Sequence, residues 1–285
     1  MAAFDLMSIL VRILGRDFSI IQIAMLRNVF GILPAFILLA VGPGIQALKK
    51  LNTWKNWKII FVRSIAVFVA QLAFYTSLTK IEFATAATLC FTSPFFVTLF
   101  SIPLLGHYVG IIRALALVVG FGGVIAIFQP FNDDFTLWMF LPVVAGLGYG
   151  LSSVLVNLVP DDVPSAAIQI TQQLTTFVLS AGLLIATQEY VPIVSIESLL
   201  YFALMGVFGG VGVLCLIMSY RLVEPSTISV FEYFGIPISF LMGWVFFNEA
   251  PFSKLFPGVL LLIGAGLLII YRERKLGHLT QKNSH

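Results

Sequence analysis

The sequence predicts an all-α integral membrane protein of about ten transmembrane helices, arranged as two inverted five-helix repeats. Three observations support this fold class: charged residues are scarce, long apolar runs follow one another, and an order of acids, prolines and glycines recurs in the second half. Hydrophobic residues make up 59% and charged residues 10% of the 285 residues, whereas about 25% of the residues in a soluble domain are charged. Most of the outer surface should therefore face lipid.

The apolar runs define the predicted spans, because about 20 apolar residues in a helix cross the hydrocarbon core. The predicted spans are 2–14, 20–41, 57–78, 84–105, 108–128, 136–156, 166–187, 199–222, 227–247 and 255–271. Breaks rich in Gly, Pro, Asn or Asp separate them. The first span covers only about 20 Å of a core that is about 30 Å thick. We therefore expect the first helix to be short, or truncated at its start.

The distribution of Lys and Arg predicts the orientation of the spans. The loop after the second span holds Lys49, Lys50 and Lys55, with Lys58 and Arg63 just beyond, and the segment 272–282 is also basic. Cytoplasmic loops carry an excess of these residues, and an even number of predicted spans separates the two basic segments. We therefore expect a multi-pass protein of the cell inner (plasma) membrane with both termini in the cytoplasm.

An internal repeat relates the two halves of the chain. An acid at 82, a proline at 94 and a glycine at 120 recur, in the same order, at 224, 237 and 264. The offset is about 143 residues. This order favours a repeat over a chance similarity between apolar helices. The predicted units are residues 1–133 and 134–275, followed by a cytoplasmic tail, 276–285. With five spans in each, the second unit lies inverted relative to the first, an architecture used for alternating access.

Three segments carry a family resemblance. They are 24–28, with an arginine on the second span; 84–96, which contains Ser93-Pro94; and 231–251, which contains Phe231-Glu232-Tyr233. With these segments the chain resembles the drug/metabolite transporter superfamily, of the EamA type, and its pattern is similar to that of S-adenosylmethionine carriers. It departs from the family in its short first span and at Gly106-His107, where the family usually has Gly-Glu. The resemblance implies transport of small organic metabolites.

Taken together, these features predict a secondary transporter that moves a small organic metabolite, amino-acid- or nucleoside-like, by alternating access. No ATP-binding motif, catalytic constellation, metal-ligand spacing or cofactor motif is visible in the sequence. We therefore expect coupling to a proton or solute gradient, no enzymatic activity, no cofactor and no bound metal. The expected partners are the substrate and the lipid bilayer, not nucleic acid, and the expected assembly is a monomer or homodimer. A lipid flippase and a membrane-embedded scaffold or enzyme remain alternatives.

Ionisable side chains inside predicted spans are the leading candidates for the site, because each costs about 2.5–3.5 kcal/mol to insert. We expect Glu232, five residues before Pro237, to bind a cationic or amine group or to carry a proton; the alternative is an acid at the interface that reaches water. Arg27 could hold a substrate carboxylate with its two-pronged guanidinium, or it could extend to the outer interface. Asp5 and Arg12 fall on one face of the first span. They could pair with each other, or Asp5 could join the site.

Neutral side chains supply the remaining candidates. We expect no direct pair between Arg27 and Glu232, which enter from opposite faces and lie roughly 10 Å apart in depth. A zwitterionic substrate would bridge them. Further predicted wall residues are Gln71, Tyr75, Ser93, Pro94, Tyr149 and Tyr233, together with Thr92 and the pair Gln172-Gln173. Each polar member of this set could instead form a hydrogen bond between helices.

Overall fold

The structure is a computed structural model that describes residues 1–42, 54–106, 135–223 and 235–249, with scattered positions within 115–127, 225–232 and 256–267. All regular elements in these ranges are helical, which confirms the all-α prediction for the described part. Most of the predicted spans 108–128 and 255–271 lies outside the described residues, as do Lys49, Lys50, Tyr233 and the tail. Ten helices therefore remains a prediction.

Nine α-helices are described. They are α1 (Ala2–Leu14), α2 (Ile20–Val41), α3 (Trp54–Lys80), α4 (Phe83–Cys90), α5 (Ser93–Leu105), α6 (Phe140–Leu155), α7 (Ser165–Thr187), α8 (Ile196–Leu222) and α9 (Gly235–Phe247). Short 3₁₀ turns flank α6 at Leu137–Met139 and Val156–Leu158. Six helical segments of the described chain are long and apolar enough to cross a membrane. Large apolar side chains such as Ile37, Val178 and Ile185 are exposed on the outside of these helices.

Polar caps and special backbone angles set several helix ends. The Ser19 hydroxyl accepts a hydrogen bond from the Gln22 N–H at 3.2 Å and begins α2, as an N-cap serine does in general. Ser195 caps α8 in the same way. The end of α5 is Gly106, whose φ of 69° lies in the left-handed region that favours glycine. The observed bounds of α1 and α2 match the predicted spans 2–14 and 20–41.

The predicted span 84–105 corresponds to the apolar segment Phe83–Leu105, which is long enough to cross a membrane, but the chain breaks at Phe91-Thr92 into α4 and α5. Pro94 lies in the first turn of α5, where the missing N–H of proline costs no helical hydrogen bond. Across the break, the Thr92 N–H bonds to the Leu89 carbonyl at 3.2 Å, and the Phe95 N–H bonds to the Thr92 carbonyl at 3.0 Å. Proline thus begins a new helix near the centre of this span.

Helices of the first half pack mainly on helices of the second half. The α2 helix lies against α7 and α8, while α3 lies against α6 and α7. Small residues allow these close approaches. A Cβ at Gly210 would collide with the Gly31 carbonyl of α2, and a Cβ at Gly148 would meet the Ala66 carbonyl of α3 at 2.7 Å. Small residues serve helix contacts in membranes because they let two backbones approach.

The predicted pair between Asp5 and Arg12 is wrong, because each side chain has a different partner. Seven residues separate the two positions by roughly 10 Å along the axis, which is too far for a direct contact between them. Arg12 forms an ion pair with Glu249, which follows α9. Asp5 accepts a hydrogen bond from the Ser239 hydroxyl of α9 at 2.5 Å. Both side chains therefore tie α1 to the region of α9.

Candidate functional site

A cavity of about 160 Å³ lies between the two halves of the molecule. It is bordered by helices of both halves and by the break between α4 and α5. The predicted site residues that line it are Asp5, Arg27, Gln71, Tyr75, Ser93, Tyr149 and Glu232. Pro94 is buried beside Ser93 in the first turn of α5 and does not line the cavity. Tyr233 lies outside the described residues.

Glu232 is 7% exposed and lies three residues before α9. Its Oε2 accepts a hydrogen bond from the Ser93 hydroxyl at 2.9 Å, and its Oε1 accepts one from the Tyr220 hydroxyl at 2.6 Å. No cation of the described residues lies within ion-pair distance of this carboxyl group. Two neutral donors from α5 and α8 thus fix the orientation of the carboxyl group. It can accept further hydrogen bonds from an amine, bind a cationic group, or carry a proton.

Arg27 is also buried, with 4% of its surface exposed. Its Nη1 donates to the Asn28 side-chain carbonyl at 3.1 Å, and its Nε has no hydrogen-bond partner among the described residues. No described carboxylate forms an ion pair with it. The alternative in which Arg27 extends to the outer interface is therefore wrong, because the side chain is buried against Gly209 of α8 and the residue lines the cavity. Its free N–H groups suit a carboxylate or another anionic group.

A chain of hydrogen-bonded neutral side chains extends from Arg27 along the cavity. The Asn28 amide donates to the Gln71 side-chain carbonyl at 3.1 Å, and the Gln71 amide donates to the Tyr75 hydroxyl at 3.2 Å. The Tyr75 hydroxyl in turn lies 3.5 Å from the Met7 sulfur. This chain connects α2, α3 and α1 at one level of the cavity. It can orient Arg27 and offer hydrogen bonds to a polar substrate group.

Arg63, Tyr220 and Ser239 line the cavity but were not predicted as site residues, and neither was Asn28, which bonds to Arg27 and Gln71 without lining the cavity. In the sequence, Arg63 was grouped with the basic residues at the start of the third span. It lies nine residues after the start of α3, which indicated a position deeper in the membrane. Tyr220 and Ser239 carry no comparable signal, because neutral hydroxyl residues are common in membrane helices. Their role follows from contacts with Glu232 and Asp5, which are distant in sequence.

Arg63 lines the same cavity and is 4% exposed. Its Nε donates to the Ser152 carbonyl at 3.1 Å, and its Nη1 donates to the Gln172 side-chain carbonyl. Gln172 also lines the cavity, whereas Gln173 is buried without a hydrogen-bond partner among the described residues. Across the described ranges, no group of three or more His, Cys, Asp or Glu side chains could hold a metal ion. The polar side chains that line the cavity offer charge pairing and hydrogen bonding.

Comparisons with known proteins identify the family. The model of the EamA-like transporter family matches residues 1–129 and again 136–272. A riboflavin transporter of Rhizobium johnstonii is 27% identical over 232 residues, which are 81% of this chain and 75% of that protein. An S-adenosylmethionine uptake transporter of Rickettsia conorii is 24% identical over 226 residues, which are 79% of this chain and 76% of that protein.

A solved crystal structure shows a similar fold. It aligns with a TM-score of 0.69 and covers 96% of this chain and 97% of its own, at 17% sequence identity. At this identity the similarity concerns the fold alone. The family match, in contrast, extends over both halves and agrees with the resemblance of the three sequence segments. The chain belongs to the EamA-like transporter family, whose members are membrane-embedded transporters.

Proposed function

We propose that the protein is a secondary transporter that moves a small organic metabolite, amino-acid- or nucleoside-like, across the cell inner membrane by alternating access. The observation that carries this proposal is the cavity between the two halves, into which Glu232 and Arg27 bring opposite charges. Neither forms an ion pair with a described residue. A buried charge without a partner costs several kcal/mol. A substrate that supplies the missing countercharges would therefore gain affinity.

Matched helix contacts support the two inverted repeats. The α1 helix packs on α8, and α6 packs on α3. In the proposed repeats, α1 and α6 are the first helices of their halves and α3 and α8 are the third, so the two contacts are equivalent. Both halves also begin a helix beside the corresponding proline, α5 beside Pro94 and α9 beside Pro237. The two separate matches of the family model agree with this division.

Glu232 is the residue that we assign to coupling or to cation recognition. Its two hydrogen bonds come from α5 and α8, while the residue itself precedes α9. A change in its protonation or in its bound cation would therefore alter contacts between both halves. This connection gives a route by which a proton or solute gradient could drive alternating access. A substrate bound at Glu232 would lie beside the helix break, and transporters of inverted-repeat design often bind substrate at such a break.

Reconstitution into liposomes tests the proposed function. Purified protein is first screened by thermal shift against amino acids, nucleosides, riboflavin and S-adenosylmethionine. Compounds that stabilise the protein are then measured for uptake, with and without an inward proton gradient. We expect saturable uptake and counterflow of at least one compound. Scrambling of labelled lipid without uptake of any compound would contradict the proposal and support the flippase alternative.

A further inference from the structure

Arg63 is a buried cation that the proposed role of Arg27 does not use. It lies in the wall of the same cavity, on α3. Its Nε and Nη1 are held by the Ser152 carbonyl of α6 and the Gln172 side chain of α7. No hydrogen bond to a described residue uses its Nη2 group. Because an arginine presents five N–H donors, Arg63 keeps donors available for a ligand.

The surroundings of Arg63 supply no countercharge. Both of its hydrogen-bond partners are neutral carbonyl oxygens, and no described carboxylate forms an ion pair with it. If an arginine served only to connect three helices, its guanidinium could donate all of its hydrogen bonds to backbone carbonyls, away from any cavity. Here the group is instead fixed by two contacts and faces the cavity. This arrangement resembles a preorganised anion site, in which the donors are oriented before the ligand arrives.

Arg63 and Arg27 lie at different levels of the cavity. The Arg27 network reaches α3 at Gln71 through Asn28. Arg63 precedes Gln71 by eight residues, which correspond to about 12 Å along the helix axis. This offset along α3 leaves room for the polar ends of one larger molecule at two levels of the wall.

We propose that Arg63 binds an anionic group of the substrate, and that the substrate is amphoteric, with this anionic group at Arg63 and a cationic group at Glu232. This inference rests on the proposed transport function and specifies its substrate class. The polar chain of Arg27, Asn28, Gln71 and Tyr75 would then hold a further end of the same molecule, either anionic or rich in hydrogen-bond acceptors. Of the two compounds named for the relatives, S-adenosylmethionine has a carboxylate and cationic groups, whereas riboflavin is neutral. The cavity charges fit the first kind of molecule.

Binding to the purified full-length protein tests this inference. The probes are S-adenosylmethionine, its carboxyl methyl ester and riboflavin, measured by equilibrium binding to wild type, Arg63→Gln and Ser64→Ala. Ser64 is the control because its hydroxyl bonds only to the Ile60 carbonyl of its own helix and it does not line the cavity. We expect the wild type to bind the acid at least tenfold more tightly than the ester or riboflavin. Arg63→Gln should remove this preference, and Ser64→Ala should keep it.

Three results would overturn the inference. Equal loss of acid and ester binding in Arg63→Gln would make Arg63 a structural tether. Tighter binding of riboflavin than of S-adenosylmethionine by the wild type would exclude an amphoteric substrate. Binding of neither charged probe would also refute the substrate class, even if liposome uptake of another metabolite upheld the transport function. The comparison of acid with ester in the wild type needs no variant, so it tests the requirement for an anionic substrate group even if Arg63→Gln does not fold.

Discussion

Arg12 at the end of α1 forms a two-point ion pair with Glu249, which follows α9. Its Nη1 donates to Oε2 at 2.9 Å and its Nη2 donates to Oε1. The same Oε2 accepts the Phe83 N–H of α4 at 2.7 Å, and the guanidinium lies 4.5 Å from the centre of the Phe247 ring. One carboxylate therefore joins the ends of α1, α4 and α9. These contacts close one end of the bundle.

Breaking this pair should open that end of the molecule. In alternating access, contacts that close one side must separate in the opposite state. We expect Arg12→Gln to raise the rate at which a membrane-impermeant thiol reagent labels Cys90, a cavity residue, by several-fold. The measurement uses a Cys215→Ala background, because Cys215 is exposed. Equal labelling rates with and without Arg12 would show that the pair does not control access.

The hydroxyl groups of Ser93 and Tyr220, which donate hydrogen bonds to Glu232, should contribute to substrate affinity. Tyr220→Phe removes one hydrogen bond, which is worth about 1 kcal/mol. We expect a roughly fivefold higher KM for uptake, because the carboxyl group is less firmly oriented. Tyr201→Phe is the matched control, since Tyr201 donates to the exposed Glu197 at 2.6 Å and does not line the cavity. A similar KM in both variants would argue against this role of Tyr220.

Close packing between α3 and α6 should limit substitution at Gly148. Gly148→Ala places a Cβ 2.7 Å from the Ala66 carbonyl, and overpacking of this kind costs about 1–3 kcal/mol. We expect a thermal midpoint several degrees lower in detergent. Gly182→Ala is the control, because nothing lies within 4 Å of a Cβ there. Equal midpoints for the two variants would refute the close contact.

The proposed topology can be tested from outside the cell. Lys50→Cys and Lys282→Cys place thiols in the two basic segments of the sequence. Because both segments should be cytoplasmic, neither thiol should react with an impermeant reagent in intact cells, and both should react after permeabilisation. A reaction of only one of the two in intact cells would exclude ten spans with both termini inside.

The sequence predicted the fold better than the contacts inside it. Apolar length located α2, because the membrane sets a minimum span, whereas α1 was located by its apolar run although that run is shorter than the minimum. Asp5, Arg27 and Glu232 were also identifiable, since a charge inside an apolar run is costly and therefore conspicuous. The break at Phe91-Thr92 was missed, because hydropathy does not show whether a proline interrupts a span or begins a helix.

Contacts between residues that are far apart in the sequence could not be predicted, for a different reason. Arg12 and Glu249 are 237 positions apart, and helix periodicity tells which residues share a face but not which faces meet. Arg63 was assigned to the cytoplasmic end of its span, because the positive-inside rule treats a charge near a span end as a sign of topology. Its position in the cavity could not be predicted from that charge. Only the packing of α3 against α6 and α7 revealed its hydrogen bonds.

Transport by the Glu232→Gln variant tests the central claim most directly. The substitution keeps the shape of the side chain and removes its charge. Uptake and counterflow are measured in proteoliposomes for wild type and variant at matched protein insertion. If Glu232 carries a proton, the variant should lose gradient-driven accumulation and keep exchange, and if it binds a cationic substrate group, both should fall. Unchanged kinetics in both assays would contradict the account and leave Glu232 a structural residue.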